Sequence, residues 1–558
     1  MAFVNEHNYA ASQPLTGKPG LILREMDVVD QETASEPSID QHDIVYIHGA
    51  RFWLICIAIT IMMFLVNLEI PVVITSLVAI TNDFGGFDNI GWVVASYLLG
   101  YVGVIVVCAK FSDIFGRKVV FLFSIIFFII FSAACSAAQT IVQLIIFRAF
   151  QGIGGGGCWS LATIFVIELV PSEQYAKFVA NVSLVNALAL LLGPIVGGAI
   201  SSHTTWRWIF IINIPIALPA LVIAYLFIPK DFPYQGQHDY KSKSFKDMVT
   251  RSTLGRIDFP GTILLLFATV SLVAAFEEAD KRFPWKSAYV ITLLILSGLF
   301  WISVAAWERY VTLSNSIREP ILPWRFLLNR EMMGILLNFV FLGGPTVICQ
   351  FILPQRFQLV YGLSGLDAGV RLIPFTAVIP IGSVFASTLG GRFKIPPIYL
   401  LIVGSVLQII GFSLMGTIPT NTLDIPQQVY GYQILAGWGC GINFSLLFIL
   451  IPFVNEKRDN AVALAAGSQL RFIGGATVLA ISTSVFNTYV RPRLQSDVGI
   501  SDADALLQIL PTLPQVLQEQ VRQTLAVGYN RQILVLAVSA ALQIPATVIM
   551  WRQRQLRI

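Results

Sequence analysis

Residues Phe52–Ile80 read FWLICIAITIMMFLVNLEIPVVITSLVAI, an apolar run interrupted by one carboxylate, Glu69. A helix rises 1.5 Å per residue, so about 20 such residues cross a hydrocarbon core of ~30 Å. This run is long enough to span a bilayer, and reading outward from it gives fourteen spans in all. The next five are Gly91–Cys108, Val119–Ala138, Ile141–Leu169, Phe178–Ile200 and Trp208–Ile228. Then come Phe259–Phe276 and Ala288–Trp307, separated by a loop crowded with Glu277, Glu278, Asp280, Lys281 and Arg282. The last six are Gly334–Leu353, Ala368–Leu389, Ile398–Ile418, Val429–Phe453, Ala461–Phe486 and Ile533–Trp551.

Composition agrees. Of 558 residues, 56% are hydrophobic and 12% charged, whereas soluble domains carry about 25% charged residues. There is too little polar material to cover the surface of a water-soluble fold of this length, so the fold class is an all-α integral membrane protein. The net charge of +4 is not gathered into a basic patch interleaved with aromatics, which excludes a nucleic-acid footprint. Cys56, Cys108, Cys135, Cys158, Cys349 and Cys440 lie in or beside apolar runs without metal-ligand spacing, and read as small buried hydrophobes. No Walker loop, metal-binding cluster or nucleophile set is present. No catalytic residue, metal or cofactor is therefore expected, and the chain is not read as an enzyme. The matches to the glycosylation pattern at Asn181 and Asn443 fall inside spans. Residues 1–50 are polar and acidic, with Asp27, Asp30, Glu32, Glu36, Asp40 and Asp43 and no early apolar core. They are expected to be disordered and not a cleaved leader.

Loop charge sets the orientation. Lys110, Arg117 and Lys118 follow the second span; Lys230, Lys241, Lys243, Lys246, Arg251 and Arg256 follow the sixth; Arg309, Arg318, Arg325 and Arg330 follow the eighth. Arg392 and Lys394, then Lys457 and Arg458, then Arg552, Arg554 and Arg557 continue the pattern on the same side. The loops after the first, third and eleventh spans have no Lys or Arg. Cationic loops stay cytoplasmic, so both termini are expected inside. The exception is 489–532, read as a long extracytoplasmic loop with Arg491, Arg493 and Arg522 beside Asp497, Asp502, Asp504 and Glu519.

A repeat is legible. The fourth span carries Arg148, Gly152, Gly154 and Gly156; the twelfth carries Gln433, Gly437, Gly439 and Gly441 at the same offsets. This suggests two homologous halves, a common transporter plan. The turn after the second span reads AKFSDIFGRK, Ala109–Lys118. Asp113, Gly116, Arg117 and Lys118 in that order resemble the signature loop of the major facilitator superfamily, with Ala109 in place of its usual first glycine. Arg148, Gln151, Gly152, Gly154 and Gly156 resemble the family's fourth-helix motif. Gly193, Pro194, Gly197 and Gly198 resemble its antiporter motif, although Asn181 and Ala189 stand where that motif often has glycine. Trp206-Arg207-Trp208 with Asn213 and Pro215, and QLRFIGG from Gln469 to Gly475, resemble the fourteen-helix drug:proton branch. The resemblance runs from about Phe52 to Trp551. It implies a six-helix bundle at 51–230, linkers and an inserted helix pair at 231–330, and a second six-helix bundle at 331–551 with a cytoplasmic tail at 552–558. The inserted pair is expected to lie away from the transport path.

Ionisable groups inside the spans mark function. A charge at mid-bilayer costs roughly 2.5–3.5 kcal/mol on insertion scales and faces a partner or a cavity. Glu69, Arg148, Arg371 and Arg471 are such groups. The resembled branch commonly has Asp at the position of Glu69, which implies a proton-coupling role for Glu69 with Arg148 tuning it. Burial disfavours a charged carboxylate and a neighbouring arginine favours it, so a Glu held between the two can load and release a proton. A structural salt bridge and a substrate contact remain open for Glu69. Arg371 can simply snorkel to a membrane edge. Asn67, Gln151, Asn186, Gln350, Asn443, Gln469 and Arg471 are candidate polar pegs in an apolar cavity, with helix–helix hydrogen bonding the alternative for each amide. Asp113, Gly116, Arg117 and Lys118 form the candidate gating loop. Gly193, Pro194, Gly197 and Gly198 are small or kinking residues suited to a helix that rocks on its neighbour.

The expected function is proton-coupled efflux of a small, hydrophobic, roughly neutral organic compound (a toxin, drug or secondary metabolite) by alternating access. The partners are protons, the bilayer and the cargo; a monomer in the cell membrane is expected, with the vacuolar membrane as alternative. Uptake of a siderophore or other nutrient stays open, as does a non-transporting sensor.

Overall fold

The structure is a computed structural model, and it describes residues 46–84, 90–233, 250, 253, 255–280, 283–314, 318–420, 424–498, 513–553, 555 and 556. Residues 1–45, on which most of the expected terminal disorder falls, lie outside the described residues. So do Lys241, Lys243, Lys246, Arg251, Lys281, Arg282, Arg554, Arg557 and the middle of 489–532.

Fourteen helices are long and apolar enough to cross a membrane. They are α1 (Ala50–Leu77), α2 (Gly91–Phe115), α3 (Arg117–Ala137), α4 (Ile141–Glu168), α5 (Ser172–Ser201), α6 (Trp208–Phe227) and α7 (Phe259–Glu278). The rest are α8 (Ala288–Leu313), α9 (Arg330–Leu359), α10 (Gly365–Gly391), α11 (Pro397–Gly416), α12 (Gln428–Val454), α13 (Lys457–Ser496) and α14 (Gln515–Ile549). No named strand occurs among the described residues. The long loop expected at 489–532 is shorter than that: helix continues to Val498 and resumes at Gln515. Both helices carry polar turns beyond their apolar stretches, and a hydropathy reading detects only the apolar part.

The helices pack as two sets with one internal plan. In the first set α1 packs on α5 and α6, α2 on α4, and α3 on α4 and α6. In the second α9 packs on α13 and α14, α10 on α12, and α11 on α12 and α14. Each pairing in one set reappears in the other eight helices later. The glycine repeat is the physical basis. A Cβ on Gly152 or Gly156 would come closer than 3.0 Å to the carbonyl oxygens of Tyr97 and Tyr101 on α2, and one on Gly154 would meet Phe128 on α3. In α12, Gly437 and Gly441 press in the same way on the carbonyls of Phe375 and Ile379 on α10, and Gly439 on Gly404 of α11. Small residues let membrane helices approach backbone to backbone, where dispersion and not hydrophobicity holds them.

Hydrogen bonds and ion pairs order the ends. Arg51 donates to the Phe227 carbonyl, and Lys118 donates to the carbonyls of Tyr225 and Ile228. Lys110 pairs with Glu319, Arg325 with Asp459, and Arg552 with Glu331. The start of α1, the α2–α3 turn and the end of α14 therefore share one end of the molecule, the basal end; the other is the distal end. The apolar interior is uneven between them. One cluster joins both sets at the basal half, running through Ile55, Ile105, Phe165, Leu401, Leu447 and Leu464. At the distal half the interior separates into a cluster around Phe357, Phe412 and Tyr529, wholly in the second set, and one around Val73, Leu144 and Phe210, wholly in the first. Across the two sets, α2 lies on α13 and α5 on α10.

The hairpin α7–α8 contributes no residue to the central cavity described below, but α7 is not at the margin of the fold. α7 packs on both α2 and α13, and Gln469 of α13 donates to Thr269 of α7 while accepting from the Val106 amide of α2. Its distal turn is tied to α13 by Trp285 on Ser484 and by Asn487 and Arg491 on Asp280. α8 is the outer member, with Ile291, Ile295, Leu299 and Ile302 exposed on a lipid-facing side.

Candidate functional site

Two of the polar features in the apolar interior hold the ionisable candidates Glu69, Arg148 and Arg471, and they are separate. The first is a closed cluster inside the α1–α6 set. Glu69 and Arg148 are both buried, and their carboxylate and guanidinium meet at 2.5 Å (Oε1 to Nη1). Gln151 Nε2 donates to the same oxygen at 3.0 Å, and Asn213 Nδ2 of α6 donates to Oε2 at 2.7 Å. Arg148 also donates to the Gln151 carbonyl oxygen at 2.8 Å and to the Val93 backbone carbonyl at 3.1 Å. Its guanidinium lies 4.3 Å from the Tyr97 ring centroid and 5.6 Å from that of Phe210. Gln151 is anchored in turn on Ser132.

Every element has a local reason. Pro71 has no backbone N–H, which frees one carbonyl in the turn below it. Asn67, two residues before Glu69, donates back to the Met63 carbonyl at 2.6 Å. Arg148 and Gln151 stand three apart on α4, one above the other on the same face. Buried carboxylate and guanidinium are tolerable in lipid only as such a hydrogen-bonded pair. One donor is left over: Arg148 Nη2 is buried without a hydrogen-bond partner.

The second feature is a cavity of about 40 Å³ between the two sets, lined by Ser183, Asn186, Ala187, Thr346, Gln350, Thr376, Ile379, Phe444 and Arg471. Its walls come from α5, α9, α10, α12 and α13. That volume holds one or two waters, so the interior is nearly shut in this conformation. Ser183 and Ser383 close it at 3.5 Å across the α5–α10 contact.

The structure therefore sorts the sequence candidates. Asn186, Gln350 and Arg471 come together in the cavity. Gln151 belongs to the Glu69 cluster, and Asn67 bonds within its own helix. Asn443 lies inside the second set, donating to Ser405 and Gln543, and Gln469 fastens α7. None of these four amides lines the cavity. Arg371 stands at a break between two helical pieces of α10 and donates to the Tyr430 hydroxyl. In α5, Gly193 and Gly197 press on Pro71 and Val72 of α1, but a Cβ on Gly198 would meet nothing within 4 Å. Asn213 and Tyr97 were missed as site residues. For Asn213 the signal was present, an amide two residues before Pro215 in an otherwise apolar span. Also missed was a π-helical turn at Gly344–Ile348, which interrupts α9 beside the cavity and follows from consecutive glycines and Pro345.

The basal turn is a charge lattice. Gly116 has φ 95°, a conformation that disfavours any side chain. It turns the chain so that Arg117 meets Asp113 at 2.5 Å and Glu168 of α4 at 2.8 Å. Lys118 covers the last carbonyls of α6, as cations do at helix C-termini. A basal cavity of about 550 Å³ runs between this turn and the α8–α9 and α12–α13 connections. Glu319 in that wall takes both Lys110 and Arg256. Burial works to raise its carboxyl, but the two cations outweigh burial and hold it below the ordinary glutamate value. A carboxyl lowered in the folded state stabilises above its unfolded value of about 4.3 and loses that contribution as pH falls through the folded value. Thermal unfolding of Glu319→Gln against the parent should differ by on the order of 1 kcal/mol. The difference should be constant from about pH 6 to 8 and shrink only below about pH 4.3; a difference that changes between pH 6 and 8 contradicts the assignment.

Three comparisons bear on the chain. A family model described as "Major Facilitator Superfamily" matches residues 55–479. The "MFS-type transporter FPY5" of Fusarium mangiferae is 36% identical over 498 residues, covering 88% of this chain and 82% of that one. The "MFS-type efflux pump LUC4" of Fusarium sp is 30% identical over 477 residues, covering 83% and 78%. Among solved structures, the proton:xylose symporter XylE bound to a bromodeoxyglucose superposes with a TM-score of 0.53 at 16% identity, over 90% of this chain and 95% of that one. At that identity the likeness concerns the fold alone.

Proposed function

The chain belongs to the Major Facilitator Superfamily and is a multi-pass membrane transporter, not an enzyme, and from that premise we propose that it exports a small, largely apolar organic compound in exchange for protons. The observation that carries the proposal is the Glu69–Arg148 pair. It is the one carboxylate–guanidinium contact among the described residues in which both side chains are nearly inaccessible. It also sits on two helices, α1 and α4, that α5 can move against: Gly193 and Gly197 let α5 touch α1. Protonating Glu69 breaks the pair and leaves Arg148 unneutralised, so proton occupancy and helix position are coupled.

On this reading the positive-inside pattern supports a cytoplasmic basal end. The shared apolar cluster at that end and the separated clusters at the distal end then correspond to a state closed toward the cytoplasm. Two related sets that rock around the central cavity are the means of alternating access. The magnitudes suffice. One proton crossing ~100 mV supplies about 2.3 kcal/mol, and a tenfold gradient costs about 1.4 kcal/mol, so one electrogenic proton sustains roughly fifty-fold. The likeness to a relative named as an efflux pump favours export over uptake. Residence in the plasma membrane, as a monomer, completes the reading.

Expression of the chain in a pump-deficient host tests direction. Tolerance of at least one apolar toxicant should rise several-fold, with lower cell-associated toxicant. Higher accumulation and lower tolerance would mean uptake, and would overturn export.

A further inference from the structure

Arg471 is another buried cation, and among the described residues no acid pairs with it. It is 6% exposed, its Nε has no hydrogen-bond partner, and among the described residues it joins no ion pair. Arg356 is also buried, but it lies inside the second set and donates to the Met415 carbonyl. Arg471 instead lines the central cavity, where no carboxylate does. Rings surround it: its guanidinium carbon is 4.6 Å from the Phe472 centroid, 5.2 Å from Phe444 and 5.9 Å from Trp159. Trp159 is on α4 and Phe444 on α12, so both helix sets contribute. Aromatic faces repay part of the desolvation of a guanidinium. They do not repay what a carboxylate would, and a buried charge without a partner is strongly unfavourable.

We propose that the missing partner is the cargo: a monoanionic organic acid with an aromatic or similarly flat apolar body. A guanidinium offers paired donors that match a carboxylate or a vinylogous acid two-to-two. One cation without a second fits one negative charge and not a phosphate ester. Phe444, which shares the cavity wall with Arg471, takes the apolar body once the two sets part around it, while Phe472 and Trp159 flank the guanidinium. Asn186, whose Oδ1 is buried without a partner, and Gln350 are placed to bond neutral oxygens or hydroxyls on it. This sharpens the roughly neutral cargo that composition alone suggested: one Arg in an apolar cavity selects an apolar acid. The inference rests on the reading of the central cavity as the cargo site, and not on the direction of transport or on proton coupling.

The test is equilibrium binding to the purified full-length chain in detergent, read by thermal shift, with 2-naphthoate, its methyl ester and 2-naphthylmethylamine as probes. 2-Naphthoate should stabilise the parent saturably, and the ester and amine should bind at least tenfold more weakly. Arg471→Lys should keep measurable acid binding, and Arg471→Gln should weaken it at least tenfold. Without probe, Arg471→Gln should melt no lower than the parent, because a structural cation would be missed and an unpaired one would not. Absence of saturable stabilisation by the acid, equal binding of the ester, or parental acid affinity in Arg471→Gln overturns the proposal. Binding does not report direction or driving force, so failed proton-driven export leaves this result standing, and failed binding leaves export untouched.

Discussion

Glu69→Gln should abolish accumulation of cargo against a gradient while leaving passive exchange. A glutamine keeps the shape of the side chain and can still face Asn213, Gln151 and Arg148, which surround Glu69 at 2.5–3.0 Å. It carries no titratable proton. A transporter whose cycle is gated by protonation of this group then loses its coupling and keeps its cavity. In vesicles with an imposed pH gradient the parent should concentrate cargo tenfold or more, and Glu69→Gln should bring it only to equality. Labelled cargo should still exchange with unlabelled cargo in the variant. Concentration by Glu69→Gln to the parental level would remove Glu69 from the coupling step.

Arg148→Met is expected to be the more damaging change to folding. It strands the Glu69 carboxylate in an apolar interior, and removing one partner of a buried pair costs about 3–5 kcal/mol. Chemical unfolding in detergent should show a large loss for the single variant. Glu69→Gln with Arg148→Met removes both charges and should recover most of that loss, since replacing a buried pair as a whole is often neutral. Transport coupling should not return with it. The non-additivity is the signature of a direct pair. Additive losses would mean that the two groups act independently.

How much of this was legible in the sequence differs by physical cause. Membrane helices announce themselves because lipid admits no unsatisfied backbone and few charges, so fourteen spans could be read directly, and each has a counterpart. The repeat at Gly152–Gly156 and Gly437–Gly441 was legible because backbone contact leaves no alternative to glycine. The Glu69 and Arg148 charges stood out against apolar surroundings, and Arg471 did too. The neutral amides did not sort themselves. Asn186, Asn443 and Gln469 look alike in sequence, and only packing distinguishes a cavity wall from a bond to Ser405 or Thr269. Which face of α7 meets α13 also escapes a reading of hydropathy, since both faces are apolar. The polar ends of α13 and α14 read as loop in the sequence because a polar helix lacks the continuous apolar run that marks a span.

If Glu69 couples the two fluxes as proposed, proton entry and cargo exit form one cycle. A pH-sensitive dye inside proteoliposomes measures it directly, with cargo added on the side of the basal end and no other driving force. Cargo addition should start a proton flux opposite to cargo movement in the parent, and Glu69→Gln should move cargo without any proton flux. Proton flux of equal size in the variant, or cargo movement without proton flux in the parent, would contradict that coupling.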